Sequence, residues 1–301
     1  MKTQSTFIQL CWRGLWAAVF GALSFNAVQA QIFVANTSSP FSVEEYHTDG
    51  TLMNATFIPD AYQAYSLEIG GGYLYVANKT QPLSKYQLDG TLVSNDLIGG
   101  GFAFDLAVSA SDLFVTGYGS TVAKYTTSGT VINTSFITGL SQASGIMVSG
   151  GNLYVSNSSI GTIGEYDATT GAAINTSFIT GLSSAFGIKI SGNDLFVLNQ
   201  TGSVGEYDAT TGAVINASLI TGLDNPANMA LAGSDLYITS FTGNGIYKFT
   251  TGGVYEGTVV SGLGHPYGIA VSPEAVPEPS TWALLAGGVV ALFYGARRRT
   301  A

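Results

Sequence analysis

Apolar positions in this chain fall in short alternating runs, not in helical stripes. From Gln31 onward, runs of about four to eight residues alternate apolar with polar side chains, and each stops at a cluster of Gly, Asn, Asp, Ser or Thr. That pattern predicts β-strands joined by tight turns. The stretch Leu153 to Ser191, LYVSNSSIGTIGEYDATTGAAINTSFITGLSSAFGIKIS, is the unit from which the rest is copied. Each copy reads as four strands. A first strand such as Gly187 to Ser191 leads through a Gly-Asn-Asp or Gly-Ser-Asp turn to a second, such as Leu195 to Leu198. A loop rich in Gly, Ser and Thr leads to a third, Ser203 to Tyr207, and a DG or TTG turn leads to a fourth, Val214 to Ile220.

Tyr46, Tyr86, Tyr125, Tyr166, Tyr207 and Tyr247 mark the third strand of six copies, at spacings of 40, 39, 41, 41 and 40 residues. Four strands repeated at this period are the signature of propeller blades. The array starts on a second strand near Ile32 and ends on a first strand, Gly268 to Ser272. The two ends therefore complete one blade between them, which closes the ring and leaves no open edge between first and last blade. The expected fold is all-β: a six-bladed propeller of four-stranded antiparallel blades over residues 31–272. Leu153 to Tyr166 and Leu195 to Tyr207, each preceded by a Gly-Ile-x-[Ile/Val]-Ser strand, give these blades a resemblance to NHL-type six-bladed propellers.

Composition agrees with a large buried sheet core: 46% of residues are hydrophobic and only 10% charged. The single cysteine, Cys11, precedes the array, so the propeller has no disulfide, Cys nucleophile or Cys-bound metal. Between Gln31 and Val276 five lysines face 18 acids and there is no arginine, a formal charge of −13. Nucleic acid and anionic membrane surfaces do not suit such a domain.

The ends read as sorting segments. Lys2 and Arg13, the apolar run Gly14 to Phe25 and the small residues of Val28-Gln29-Ala30 form an export signal over residues 1–30, with cleavage between Ala30 and Gln31. Residues 273–280 form a linker containing Pro277-Glu278-Pro279. Residues 281–301 carry an apolar run and then Arg297, Arg298 and Arg299. From Trp282 to Ala296 that run reaches only about 22 Å as a helix, short of a ~30 Å hydrocarbon core, so the arginines must snorkel or the bilayer thin. The order of motif, apolar run and basic cluster resembles the PEP-CTERM sorting signal. That resemblance implies exosortase and the export machinery as processing partners, transient inner-membrane anchoring through the C-terminal helix, and delivery to the cell surface or beyond.

Candidate chemistry inside the array is sparse. Glu165 with Asp167, and Glu206 with Asp208, sit two apart in third strands and read as solvated surface duplicated with the repeat. Glu68 and Lys189 occupy matching positions in first strands of opposed blades; either both line a wet central channel, or, as the simpler expectation, each goes separately to solvent or a local hydrogen bond. Eight Asn-x-Ser/Thr triplets begin at Asn36, Asn54, Asn78, Asn133, Asn157, Asn175, Asn199 and Asn216, a composition ordinary at turns and strand ends. The loops entering each first strand, together with those from second to third strands, share one rim, which gathers Tyr62, Gln63, Tyr65, Phe102, Phe104, Asp105, Phe186, Asp224, Asn225, Asn228, His265 and Tyr267. Aromatic faces interleaved with amides match the amphipathic rings of sugars. The expected function is a non-catalytic binding or scaffold module, with exopolysaccharide as the expected ligand and no cofactor, metal or catalytic set. The alternative is a lactonase-like hydrolase or polysaccharide lyase working in the central channel. His47 and His265 are the only histidines, and no Glu, Asn and Asp ligand set is apparent.

Overall fold

The computed structural model describes residues 30–99 and 102–272. The signal segment before Ala30, the linker motif Pro277-Glu278-Pro279, and the apolar run and arginines that follow it lie outside the described residues. Second strands are β1 (Gln31–Asn36), β5 (Tyr73–Asn78), β9 (Asp112–Thr116), β13 (Asn152–Asn157), β17 (Asp194–Asn199) and β21 (Asp235–Ser240). Third strands are β2 (Ser42–His47), β6 (Leu83–Gln87), β10 (Val122–Thr126), β14 (Thr162–Asp167), β18 (Ser203–Asp208) and β22 (Gly245–Thr250). Fourth, outer strands are β3 (Leu52–Pro59), β7 (Leu92–Ile98), β11 (Val131–Ile137), β15 (Ala173–Ile179), β19 (Val214–Thr221) and β23 (Tyr255–Ser261). First, inner strands are β4 (Ala64–Gly70), β8 (Asp105–Val108), β12 (Ala143–Ser149), β16 (Ala185–Ser191), β20 (Pro226–Ala232) and β24 (Pro266–Val271).

These make six four-stranded antiparallel sheets, and the one that holds both ends has the order β24-β1-β2-β3. Ile32 pairs with Val271, Phe33 with Ala270 and Val34 with Ile269, so the ring closes by strand pairing across the chain ends. We number the blades from this one. A hydrophobic cluster fills each of the six gaps between blades; Phe33, Phe57, Leu67 and Leu74 fill the first. The core is thus a wheel of seams between sheets, held by matching apolar faces.

The turn before each outer strand needs its glycine for two reasons. Gly212 has φ +71°, and a Cβ there would stand 2.1 Å from the carbonyl oxygen of Phe178 on the neighbouring outer strand. Gly50 repeats the contact on Val259, across the gap between first and last blades. Each blade therefore seats its turn on the C-terminal half of the previous outer strand, and the N-terminal half stays free.

Register corrects one sequence landmark. In five blades the repeat tyrosine faces the leucine or isoleucine of the second strand, as Leu195 faces Tyr207. In blade 6 the residue opposite Leu236 is Phe249, while Tyr247 faces Ile238. Both are aromatic and two apart, so they share a face and period alone does not choose between them.

The triplet asparagines have structural work. Asn54, Asn133, Asn175 and Asn216 sit at the bulges of outer strands, and each side-chain oxygen accepts the backbone N–H two residues on, at 2.9 to 3.1 Å. Asn78, Asn157 and Asn199 are buried at the ends of second strands. Burial at those three sites leaves no room for an attached glycan.

Candidate functional site

The inner strands enter the ring at one face, and their first residues build its mouth. Gln63, Gln142, Ser184, Asn225 and His265 precede five of them, each a non-glycine residue at φ between +44° and +58°. Each carbonyl accepts a backbone N–H from the loop after a second strand: Lys79, Ser158, Gln200, Phe241 and Thr37 respectively, at 3.0 to 3.3 Å. Left-handed backbone in residues other than glycine costs energy and tends to gather where a site is built. Here it arranges polar side chains around the axis.

One step inward stand Tyr65, Phe104, Phe186 and Tyr267, with Ser144 and Ala227 completing the circle. Tyr65 and Tyr267 meet at a centroid distance of 4.5 Å, Tyr65 and Phe104 at 5.4 Å, and Phe104 and Phe186 at 5.3 Å edge-on. Phe102 lies against Phe104, and Tyr118 packs on it from outside. The rings converge over the axis and plug it, leaving a gap of about 10 Å³, roughly one water. Burial, with Tyr65, Tyr118 and Asp105 nearby, pushes the Tyr267 phenol well above its ordinary range.

Beneath the plug lies a charged axis. Asp105 accepts the Ser66 hydroxyl at 2.6 Å and the Ile146 N–H at 2.9 Å, which ties blades 2, 3 and 4 together. Burial raises its carboxyl to about 6 even though Lys189 pulls the other way. Lys189 reaches across to Glu68 at 3.0 Å, with side-chain exposures of 17% and 22%. The expectation of two separate charges is thus overturned. Side chains from blades 2 and 5 reach each other because a six-bladed ring sets those blades face to face across a narrow axis. Burial depresses the Lys189 ammonium, and Glu68 and Asp105 together outweigh it, leaving its pKa raised.

The rim candidates separate into three groups. Tyr65, Phe102, Phe104 and Tyr267 form the plug, with Phe186. Asp105 and Asn228 act below it; the Asn228 amide donates to the Tyr65 carbonyl at 3.4 Å and its oxygen accepts the Met229 N–H. Asn225 and His265 line an open cleft of about 320 Å³ with Thr37, Gln63, Tyr65, Gln200, Phe241 and Tyr267. Tyr62 stands apart, 45% exposed and packed on Phe41.

Phe241 lies on a second-to-third loop, within the expected rim, but is not among the rim residues named from the sequence. It stacks on His265 at 4.6 Å with only 19° between planes, while the His265 Nδ1 lies 2.7 Å from the Ser38 hydroxyl. No charged side chain lines this cleft. Among the described residues, no group of three or more His, Cys, Asp or Glu could hold a metal ion.

The paired carboxylates of the third strands also need revision. Glu165 is 8% exposed and accepts the Asn152 amide at 2.7 Å, so it belongs to the blade interior and not to solvated surface. Asp167 instead holds the following turn, accepting the Thr170 hydroxyl at 2.8 Å and the N–H groups of Thr170 and Thr169, which keeps its carboxyl below the ordinary range.

Residues 275–299 match the PEP-CTERM protein-sorting motif. The chain carries a PEP-CTERM sorting signal. Such a signal implies export, membrane-anchored sorting and processing by exosortase. Among solved structures, the propeller is similar to a chain of the nidogen/laminin complex, with a TM-score of 0.66 and 16% identity over 80% of this chain and 98% of that one. A computationally designed protein gives a TM-score of 0.52 and 13% identity over 78% and 90%. Identities this low establish a shared fold and nothing finer. No curated protein matches the sequence. Among the described residues no helix is long and apolar enough to cross a membrane; the apolar part of the sorting signal lies outside them.

Proposed function

We propose that this exported PEP-CTERM propeller is a non-catalytic binding module for an uncharged glycan, displayed at the cell surface or in the extracellular matrix, with exopolysaccharide as its ligand. The observation that carries this reading is the cleft at the mouth. Within the span Gln31–Val276, whose formal charge is −13, the cleft offers the rings of Tyr65, Phe241 and Tyr267 beside the amides of Gln63, Gln200 and Asn225, with no charged residue in its lining. Aromatic faces cover the C–H faces of a sugar and amides satisfy its hydroxyls. The plugged axis supports a non-catalytic role, because a substrate entering from this face meets packed rings before any carboxylate.

Retention on the producing cells' exopolysaccharide tests the reading. An aromatic contact of this kind contributes roughly 0.5 to 1.5 kcal/mol beyond its buried area, or about two- to tenfold in affinity. Phe241→Ala should therefore weaken retention several-fold, and Asn225→Ala should add to the loss, at unchanged melting temperature. Tyr62→Ala, outside the cleft, should have no effect. Retention should also be nearly independent of salt, since a neutral ligand offers no charge to screen. Unchanged retention of the Phe241→Ala protein, or an equal loss with Tyr62→Ala, would replace the binding reading with a scaffold role.

Sorting is tested separately by the intact mass of the exported protein. The mass should lack residues 1–30 and the segment after Pro277-Glu278-Pro279, with the second loss dependent on exosortase. Mature extracellular protein that still carries Arg297 to Arg299 would contradict processing.

A further inference from the structure

Asn54, Asn133, Asn175 and Asn216 occupy one equivalent place in blades 1, 3, 4 and 5, the bulge of the outer strand. In all four Asn-x-Ser/Thr triplets every residue is exposed. The N–H of the Ser or Thr occupies the asparagine oxygen, at 2.9 to 3.1 Å, and so holds the side chain beside the residue that bears the hydroxyl. That bond leaves the amide nitrogen uncommitted. The other four triplets differ, since Asn78, Asn157 and Asn199 are buried and Asn36 commits its nitrogen to the Glu44 carboxylate at 3.0 Å. Charge divides the outer strands in the same way. β3, β11, β15 and β19, which carry the exposed triplets, have no charged residue. In blades 2 and 6 the matching positions hold Ser94 and Gly257, and there the outer strands carry Asp96 and Glu256.

We propose that Asn54, Asn133, Asn175 and Asn216 are N-glycosylation sites, modified during export. Asn-x-Ser/Thr is the acceptor triplet for this chemistry, and the sorting signal sends the chain out of the cytoplasm, where a surface strand can meet a glycosyl transferase. The donor is a glycosyl diphosphate. The asparagine nitrogen bonds to the anomeric carbon of the sugar, the bond from that carbon to the diphosphate oxygen breaks with its electron pair going to the diphosphate, and the proton lost by the nitrogen passes to a base. Exposed apolar residues explain what the glycans do there. Leu52 and Met53, Val131 and Ile132, Ile174, and Val214 and Ile215 stand directly before the four asparagines at 41% to 62% exposure, on strands with no neighbour along their outer side. Soluble proteins guard such edges with charge, which Asp96 and Glu256 supply in the other two blades. A bulky, hydrated glycan guards an edge equally well. None of the four asparagines lines the cleft at the mouth, so modification and ligand binding use different surfaces.

Mass spectrometry of the exported protein, purified from the producing cells, tests this. Peptide mapping should find a sugar mass on Asn54, Asn133, Asn175 and Asn216 and none on Asn36, Asn78, Asn157 or Asn199. Asn175→Gln should remove the sugar mass from its own site and leave the other three. Ser177→Ala should do the same at unchanged melting temperature, because it deletes the hydroxyl that defines the triplet and keeps the backbone N–H that bonds the asparagine oxygen. This second variant separates loss of modification from damage to the bulge. Thr56→Ala, Ser135→Ala and Ser218→Ala should act alike at the other three sites. Exported protein with bare asparagines at all four sites would overturn the proposal, as would sugar that persists on Asn175 in the Ser177→Ala protein.

Discussion

Ending the chain at Gly264 should abolish the cooperative unfolding of the propeller, although fewer than one strand in twenty is removed. The cut deletes β24, whose Ile269 and Ala270 are buried in the seams on either side of blade 1. It also strips the partner from Ile32, Phe33 and Val34, all fully buried. Exposing large apolar side chains costs about 1.5 to 3 kcal/mol each, and several go at once, along with the ladder itself. The sum approaches the whole of a typical domain's stability, about 5 to 15 kcal/mol. A graded version should follow the same logic: Ile269→Ala keeps the strand and leaves a cavity, at a cost of about 2 to 5 kcal/mol in urea unfolding. A truncated protein that melts like residues 31–272 would contradict closure through this pairing.

What the sequence revealed was what local chemistry decides. Alternation, turn glycines and the strand count at each end are properties of short segments, so they yield the blades, their number and the shared blade at the ends. The same reasoning erred at Tyr247, where two aromatics on one face compete for one role. A second ruler resolves it: the third-strand aromatic lies four residues before the turn glycine in Tyr46/Gly50, Tyr86/Gly90 and Tyr125/Gly129, and so does Phe249 before Gly253. The rim was legible as a region, because loops at one end of every blade must share a face. Its division into plug and cleft was not, since which aromatics meet depends on the width of the ring. Burial of Glu165 was hidden for a related reason, as its partners Asn152 and Tyr154 lie on the adjacent strand. The Glu68 and Lys189 pair joins residues 121 apart in sequence, and only ring geometry brings them together.

That pair supports the second large effect expected of a single residue. Lys189→Met should destabilise the propeller by about 3 to 5 kcal/mol at pH 8, because it leaves two carboxylates in the axis without their cation. The residual side-chain exposures of 17% and 22% place the loss toward the lower figure. The dependence on pH distinguishes this cause from simple cavity formation. Asp105 titrates at about 6 in the folded protein, above its ordinary 3.8. The folded state therefore holds that proton more tightly than the unfolded chain, so the contribution of Asp105 is full below about pH 4 and is lost as pH rises through 6. Lys189 is the charge that lowers the Asp105 pKa, so its removal moves the folded value higher still and deepens the loss at alkaline pH. Urea unfolding at pH 4.5, 6 and 8 should show a gap between wild type and Lys189→Met that widens with pH. Asp105→Asn introduced alongside Lys189→Met should narrow the gap at pH 8, since it removes the carboxylate that the lysine had held. A loss of equal size at all three pH values would show Lys189 to act through packing of its aliphatic stem, and the ionic account of the axis would fail.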